Sequence, residues 1–192
     1  MGARTAEVTK HVKKARRLAK PIKIEIKSNK DLAAAEQERI WDCLRRAFWG
    51  LVNYDYRWSD SDWHVMLHVD GELVSYVGIV DRLGTVDERP VKLGGIGGVA
   101  TVPEWRGRGL VSAALKDASA FMRDELHLEF GLLICDEATA PFYRRLGWQA
   151  VPGPLVFDQP GGKITFPDVT MVLPLAGREW PPGTIDLCGL PW

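Results

Sequence analysis

Apolar residues recur along this chain in two rhythms, and their alternation predicts a mixed fold. Ile22 to Lys27 (IKIEIK) alternates apolar and charged residues with period two, as a half-buried strand does. Beyond Asp31 the spacing lengthens, and Ile40, Leu44, Ala47 and Phe48 share one face of a helix running to about Trp49. Ser28 or Asn29 is placed to cap that helix. Residues 50–63 have no period and read as a polar, aromatic loop. His64–Val69 and Leu73–Asp81 then read as strands joined at Asp70-Gly71, a strong hairpin signal, and Val91–Val102 reads as a third. Leu110–Leu126 is amphipathic, with Val111, Ala114, Leu115, Ala118, Phe121 and Met122 on one side. Phe130–Cys135 (FGLLIC) is an unbroken apolar run, typical of a strand covered on both faces. A short helix over Thr139–Leu146, closed by Gly147, precedes strands near Gln149–Phe157 and Thr170–Leu175 and a Pro-rich final segment. The order β-α-β-β-β-α-β-α-β-β predicts one α/β domain.

Composition narrows the class without changing that picture. The chain has 192 residues, 46% of them hydrophobic, which excludes a disordered chain and suits one domain with extensions. It contains no apolar run long enough to span a bilayer, so no membrane partner is expected. Cys43, Cys135 and Cys188 are odd in number and widely spaced, which makes neither a disulfide framework nor a zinc pattern and fits a reducing cytoplasm. All three read as small buried hydrophobes. His64 and His68 share a strand face, but two histidines without a third ligand do not make a metal site.

The net charge of zero conceals an asymmetry. Residues 1–30 carry ten Lys/Arg against Glu7 and Glu25, so the remainder sums to −8. Val8 to Lys20 has an apolar stripe with a basic opposite face and should end at Pro21. We therefore divide the chain into a basic extension over 1–21 and a domain over 22–192. The extension reads as a solvated appendage, not a nucleic-acid-binding element.

The chemistry concentrates in Gly94 to Val111 (GGIGGVATVPEWRGRGLV). Glycines weaken a strand, and four of them within Val91–Val102 suggest a bulge or a second chain lying close against it. Arg106-Gly107-Arg108-Gly109 then opens a helix, and amides at such a turn can cradle an anion. No Gly-Lys-Ser/Thr follows, so this is not a nucleotide P-loop. The segment resembles the GNAT superfamily of N-acetyltransferases, whose phosphate motif is Arg/Gln-x-x-Gly-x-Gly/Ala between a bulged fourth strand and a long helix. Arg106 and Gly109 match it, and Val111 takes the last position. The resemblance spans about residues 22–175. It implies a mixed, mostly antiparallel central sheet of about seven strands flanked by helices, and acetyl-CoA as co-substrate. By resemblance, Val99, Ala100, Thr101 and Val102 would meet the pantetheine arm. Arg106, Gly107, Arg108, Gly109, Leu110, Val111 and Ser112 would hold the pyrophosphate.

Ala140 to Trp148 (APFYRRLGW) resembles the family segment ending in Tyr-x-x-x-Gly-Phe/Trp, which implies Tyr143 as the acid that protonates the departing thiolate. A core tyrosine is the alternative. Asp136 is a candidate base near Tyr143, or else a helix cap; the glycines of the fourth strand leave no Glu there. Gly147-Trp148, Gly153-Pro154 and Val172-Leu173-Pro174 are similar to the aminoglycoside 2′-N-acetyltransferases. Glu179 to Ile185 (EWPPGTI) is similar to the nodulation N-acyltransferases. Both act on amino sugars, which implies Trp192 and Asp168 as substrate contacts. The expected function is acetyl transfer from acetyl-CoA to a primary amine, with a cationic amino sugar such as an aminoglycoside antibiotic as acceptor. A CoA-binding module without catalysis and an acyltransferase for longer chains stay open, and a homodimer is compatible with the sequence.

Overall fold

The computed structural model describes residues 21–48 and 56–192. The basic stretch 1–20, most of the expected extension, and residues 49–55 lie outside the described residues.

Strands β1 (Ile22–Ser28), β2 (Trp63–Val69), β3 (Glu72–Val86) and β4 (Arg89–Thr101) form an antiparallel meander. Helix α1 (Ala34–Phe48) lies between β1 and β2, and α2 (Leu110–Asp124) carries the chain from β4 to β5 (Phe130–Cys135). That crossover lets β4 and β5 run parallel, since parallel neighbours need such a connection. Helix α3 (Ala140–Arg144) and the short strand β6 (Gln149–Ala150) follow, and β9 (Val169–Pro174) inserts antiparallel between β5 and β6. Seven strands thus form the body in the order β1-β2-β3-β4-β5-β9-β6. A hairpin of β7 (Leu155–Gln159) and β8 (Gly162–Thr165) joins the far end of β3 through β10 (Ile185–Asp186). The sheet is mixed and mostly antiparallel, as expected, with three short strands beyond the expected seven.

The expected elements are present, with corrections at several of their ends. Ser28 does not cap α1: its hydroxyl donates to Asp31, and residues 29–31 make a single 3-10 turn. The helix opens at Ala33, whose amide donates to the Glu36 carboxylate at 3.1 Å. Strand β3 continues five residues past Asp81 to a second tight turn at Asp87-Glu88, with φ of 45° and 65°. The first turn, Asp70-Gly71, has the same left-handed pair. The single strand expected over 149–157 is two, and the Pro-rich ending contains β10. Of the cysteines only Cys43 is fully buried; Cys135 is half-buried and Cys188 exposed.

Two faces of the sheet are covered differently. Val77 and Ile79 of β3 pack with Ala114, Leu115, Ala118 and Met122 of α2. Residues of opposite parity, Val74 and Tyr76, pack under Ile40, Cys43 and Ala47 of α1. Farther along that second face, Val80 and Val86 pack with Phe157, Ile185 and Trp192. Helix α1 and the C-terminal segment therefore share one face, and α2 takes the other. Among the described residues, no helix is long and apolar enough to cross a membrane.

Candidate active site

Strand β4 bulges where its glycines cluster. Tyr76 lies opposite Ala100 and Gly78 opposite Gly97, so β4 carries one more residue than β3 across this interval. The extra residue is accommodated at Gly98, whose φ of +59° is a conformation a side chain would resist. The consequence is a split in the sheet. Strands β4 and β5 pair only at Leu93–Phe130, Gly94–Gly131 and Gly95–Leu132, although both strands continue. The edge of β4 from Ile96 to Thr101 thus has no strand partner on the β5 side among the described residues.

A cleft of about 480 Å³ opens beside this edge. Its lining includes Val99, Ala100 and Thr101 of β4, Arg106, Gly107, Gly109, Leu110 and Val111 of the turn into α2, and Tyr143 of α3. Segments separated by more than forty residues in the chain thereby meet around one space. Gly107 and Gly109 have φ of +72° and +75°, and Gly109 stands at the N-cap of α2. The turn presents main chain to the cleft just where the helix dipole favours an anion.

The model of the acetyltransferase (GNAT) domain matches residues 30–151, more than half of the chain. The chain belongs to the GNAT acetyltransferase family. An aminoglycoside 2′-N-acetyltransferase from Mycolicibacterium fortuitum is 26% identical over 117 residues, which cover 57% of this chain and 59% of that protein. The chain thus matches less than two thirds of that relative's length. Among solved structures, the Escherichia coli GNAT family N-acetyltransferase YhbS in complex with CoA superposes with a TM-score of 0.62 at 17% identity, covering 90% of this chain and 96% of that one. A GNAT family acetyltransferase from Brucella melitensis in complex with acetyl-CoA gives a TM-score of 0.60 at 14% identity, covering 85% and 94%. These likenesses concern the fold.

Within this GNAT frame the arginines of the motif have structural partners. Arg106 donates through Nε to the Thr101 carbonyl at 3.1 Å and through a terminal nitrogen to the Ala47 carbonyl at 2.7 Å. It ties the end of α1 to β4, so its guanidinium braces two walls of the cleft. Arg108 stacks over Trp105, with Cζ 4.5 Å from the ring centroid, and donates to the Glu104 carbonyl. Val102 is fully buried. Neither it nor Arg108 nor Ser112 is part of the cleft lining.

Tyr143 is 6% exposed, with Phe142 and Trp148 edge-on at 5.1 and 6.2 Å. Burial, with Cys135 and Asp136 nearby, drives its phenol well above the ordinary tyrosine value, so it keeps its proton. Asp136 is exposed and outside the lining; its carboxylate accepts from the Thr139 amide at 2.6 Å. Hydrogen bonds from the Thr139 side chain and amide hold this carboxyl below the usual carboxylate range. This is the geometry of a cap on the turn entering α3. Asp136→Ala should therefore lower stability by about 0.5–2 kcal/mol while transfer at saturating substrate is retained. That loss is expected at neutral pH and should vanish as acid protonates the carboxyl. A fall in kcat on the order of 10²-fold with unchanged melting would instead make Asp136 a base.

Trp192 and Asp168 lie apart from the lining. Asp168 is exposed, just before β9 and close enough to Cys135 to help raise its thiol, after burial and the carboxylates of Asp136 and Glu137. Trp192 is 7% exposed and lies against β4 on the face shared with α1. A Cβ at Gly95 would overlap its indole, and one at Gly97 would stand 2.7 Å from its main-chain carbonyl carbon. The glycines thus serve both expected purposes, a bulge at Gly98 and close approach at Gly95 and Gly97. Arg82 holds this segment, donating to the Leu190 carbonyl and, at 2.7 Å, to the Ser59 hydroxyl.

Sequence reasoning missed Ala47, Phe48, Trp105, Thr139 and Phe142 of the lining. Ala47 and Phe48 belong to the apolar stripe of α1 and also border the cleft. No local signal distinguishes a residue at the end of such a stripe that also borders a cleft.

Proposed function

We propose that the chain transfers the acetyl group of acetyl-CoA to a primary amine, and that the acceptor is a cationic amino sugar of the aminoglycoside type. The observation that carries this reading is the meeting of an unpaired β4 edge, a glycine turn at a helix N-terminus and Tyr143 in one cleft. Pantetheine amides can pair with the β4 edge as a strand would, and the turn from Arg106 to Val111 can take the pyrophosphate on its amides. The amine nitrogen attacks the thioester carbon, main-chain N–H groups near Val99 to Thr101 polarise the carbonyl, and the carbon–sulfur bond breaks. Tyr143 gives its proton to the departing thiolate.

Three features favour an amino sugar. The Mycolicibacterium fortuitum relative is named for that activity. Residues 31–192 carry a net charge of −8, which attracts a polycation. The main-chain carbonyl of Trp192, held over Gly97, can accept a hydrogen bond from a sugar ammonium, and Asp168, exposed just before β9, can supply a carboxylate.

Thiol release from acetyl-CoA against aminoglycosides, amino acids and simple polyamines tests this. Turnover with aminoglycosides is the expected result. Turnover with polyamines or amino acids alone would overturn the acceptor class. No turnover at all, with acetyl-CoA still raising the melting temperature, would make the protein a CoA-binding module.

A further inference from the structure

Strands β4 and β5 stop pairing before the β4 bulge is reached. Their last pair is Gly95–Leu132, whereas the left-handed residue of the bulge is Gly98. Ile96 and Gly97 still pair with β3, and β5 continues through Leu133 to Cys135. Adjacent parallel strands tend to go on pairing, because open main-chain donors and acceptors cost free energy until they find partners. The bulge alone therefore does not fix where the fork begins.

Trp192 occupies that place. Its indole lies where a Cβ of Gly95 would be, and its main-chain carbonyl carbon stands 2.7 Å from the Cβ position of Gly97. The residue thus underlies β4 from the last pair to the start of the bulge. Its Nε1 donates to the carbonyl of Leu132 at 3.2 Å, the β5 member of the same last pair. An indole N–H only donates, and a buried one needs an acceptor. The ring therefore spans both strands at the fork, pressed against β4 and bonded to β5.

The opposite face is closed as well. A Cβ at Gly94 would overlap the Met122 sulfur, and one at Gly131, its β5 partner, would stand 2.8 Å from the Trp148 ring. The last two pairs are thus held between Met122 and Trp148 on one face and Trp192 on the other. Trp192 is itself fixed in place. It is 7% exposed, and the Arg82 guanidinium carbon of β3 lies 5.4 Å from its ring centroid. Arg82 also donates to the Leu190 carbonyl, and the Ser59 amide donates to the Pro191 carbonyl at 2.7 Å. The position of the indole is therefore set from outside the two strands that it separates.

We propose that Trp192 is a wedge that holds β4 and β5 apart, and through that opening a positioning residue for acetyl-CoA. This rests on the acetyl-CoA reading above, in which pantetheine pairs with the β4 edge from Val99 to Thr101. Those residues line the cleft; Trp192 does not, and acts only through the strand. With the indole in place the edge is open before the cofactor arrives, and binding does not have to part the strands. Without it, Ile96 and Gly97 are free to close on Leu133 and Ile134, and the cofactor must reopen the groove. Apparent affinity then falls in proportion to the fraction of molecules still open.

The test is calorimetric titration of wild type, Trp192→Ala, Trp192→Phe and Phe157→Leu with CoA, without an amine. It is run at a temperature where circular dichroism shows each protein folded. Phe157 is fully buried in the same cluster as Trp192 but belongs to β7, so its variant reports general loosening of that cluster. Trp192→Ala should raise the Kd for CoA about tenfold or more, as when about one groove in ten remains open. Trp192→Phe keeps a ring under Gly95 and loses the bond to Leu132, so its Kd should rise by less. Phe157→Leu should lower the melting temperature and leave the Kd unchanged. If Trp192→Ala does not fold, Trp192→Phe decides alone. Wild-type affinity in the folded Trp192 variants overturns the wedge and leaves the acetyl-CoA reading standing. An equal loss in Phe157→Leu also overturns it, since any loosening of the cluster would then suffice. Absence of CoA binding by wild type overturns the acetyl-CoA reading and the wedge with it.

Discussion

Tyr143→Phe is expected to lower kcat on the order of 10²-fold or more, with little change in the melting temperature or in the affinity for acetyl-CoA. The ring supplies the packing against Phe142 and Trp148, and phenylalanine retains it. What is lost is one proton at the edge of the cleft, where Tyr143 contributes to the lining. The pH dependence of this loss is specific. Burial raises the phenol's pKa, so its acid form persists through neutral and moderately alkaline solution and would fail only above the raised value. The ratio of wild-type to variant rate should therefore stay flat from about pH 6 to 9. Steady-state rates across that range decide the matter, and an unchanged kcat would remove Tyr143 from the chemistry.

Gly95→Ala should be among the most damaging single-methyl substitutions in the molecule. The new Cβ would overlap the Trp192 indole, whose Nε1 donates to the Leu132 carbonyl at 3.2 Å in the region where β4 and β5 part. The indole belongs to the same buried cluster as Leu93, Phe130 and Leu132, which leaves it little room to shift. Either β4 moves or Trp192 leaves. Overpacking of this kind costs about 1–3 kcal/mol, and expelling a buried tryptophan costs about 3–5 kcal/mol. A destabilisation of about 2–4 kcal/mol should lower the melting temperature by about 4–16 °C in a domain of this size. Trp192→Ala should cost a similar amount. If the clash is the cause, the double variant should be no less stable than Trp192→Ala alone, within about 0.5 kcal/mol. Additive losses would show that Gly95 matters for another reason.

Some of this site could be read in one dimension because its signals are local. The turn from Arg106 to Gly109 is a contiguous motif whose glycines must take positive φ, and the cleft forms there. Tyr143 stands at a fixed distance from Gly147 on a short helix, again a local pattern. The hairpin at Asp70-Gly71 was legible from its residue types, whereas the equivalent turn at Asp87-Glu88 was not, because Glu88 stands where a glycine would mark the left-handed position. The same limit explains the misplaced cap of α1. Ser28 has the right chemistry, but strand β1 extends through it and the helix waits for Ala33.

The sequence alone determined the order of the seven-strand body and its helices and, through the family resemblance, pointed to the glycine turn and Tyr143 that line the cleft. These depend on hydrophobic period and backbone conformational preference, which act over a few residues. Tertiary structure alone decided which groups share a space. It assigned Arg106 to bracing α1 against β4, gave the carboxylate of Asp136 to the Thr139 amide, and seated Trp192 on Gly95 and Gly97. It also brought His64 of β2 against Tyr76 of β3 through strand pairing, which no spacing along the chain encodes. Contacts of this kind are set by how strands pair and twist, and a one-residue bulge in β4 redirects every side chain beyond it.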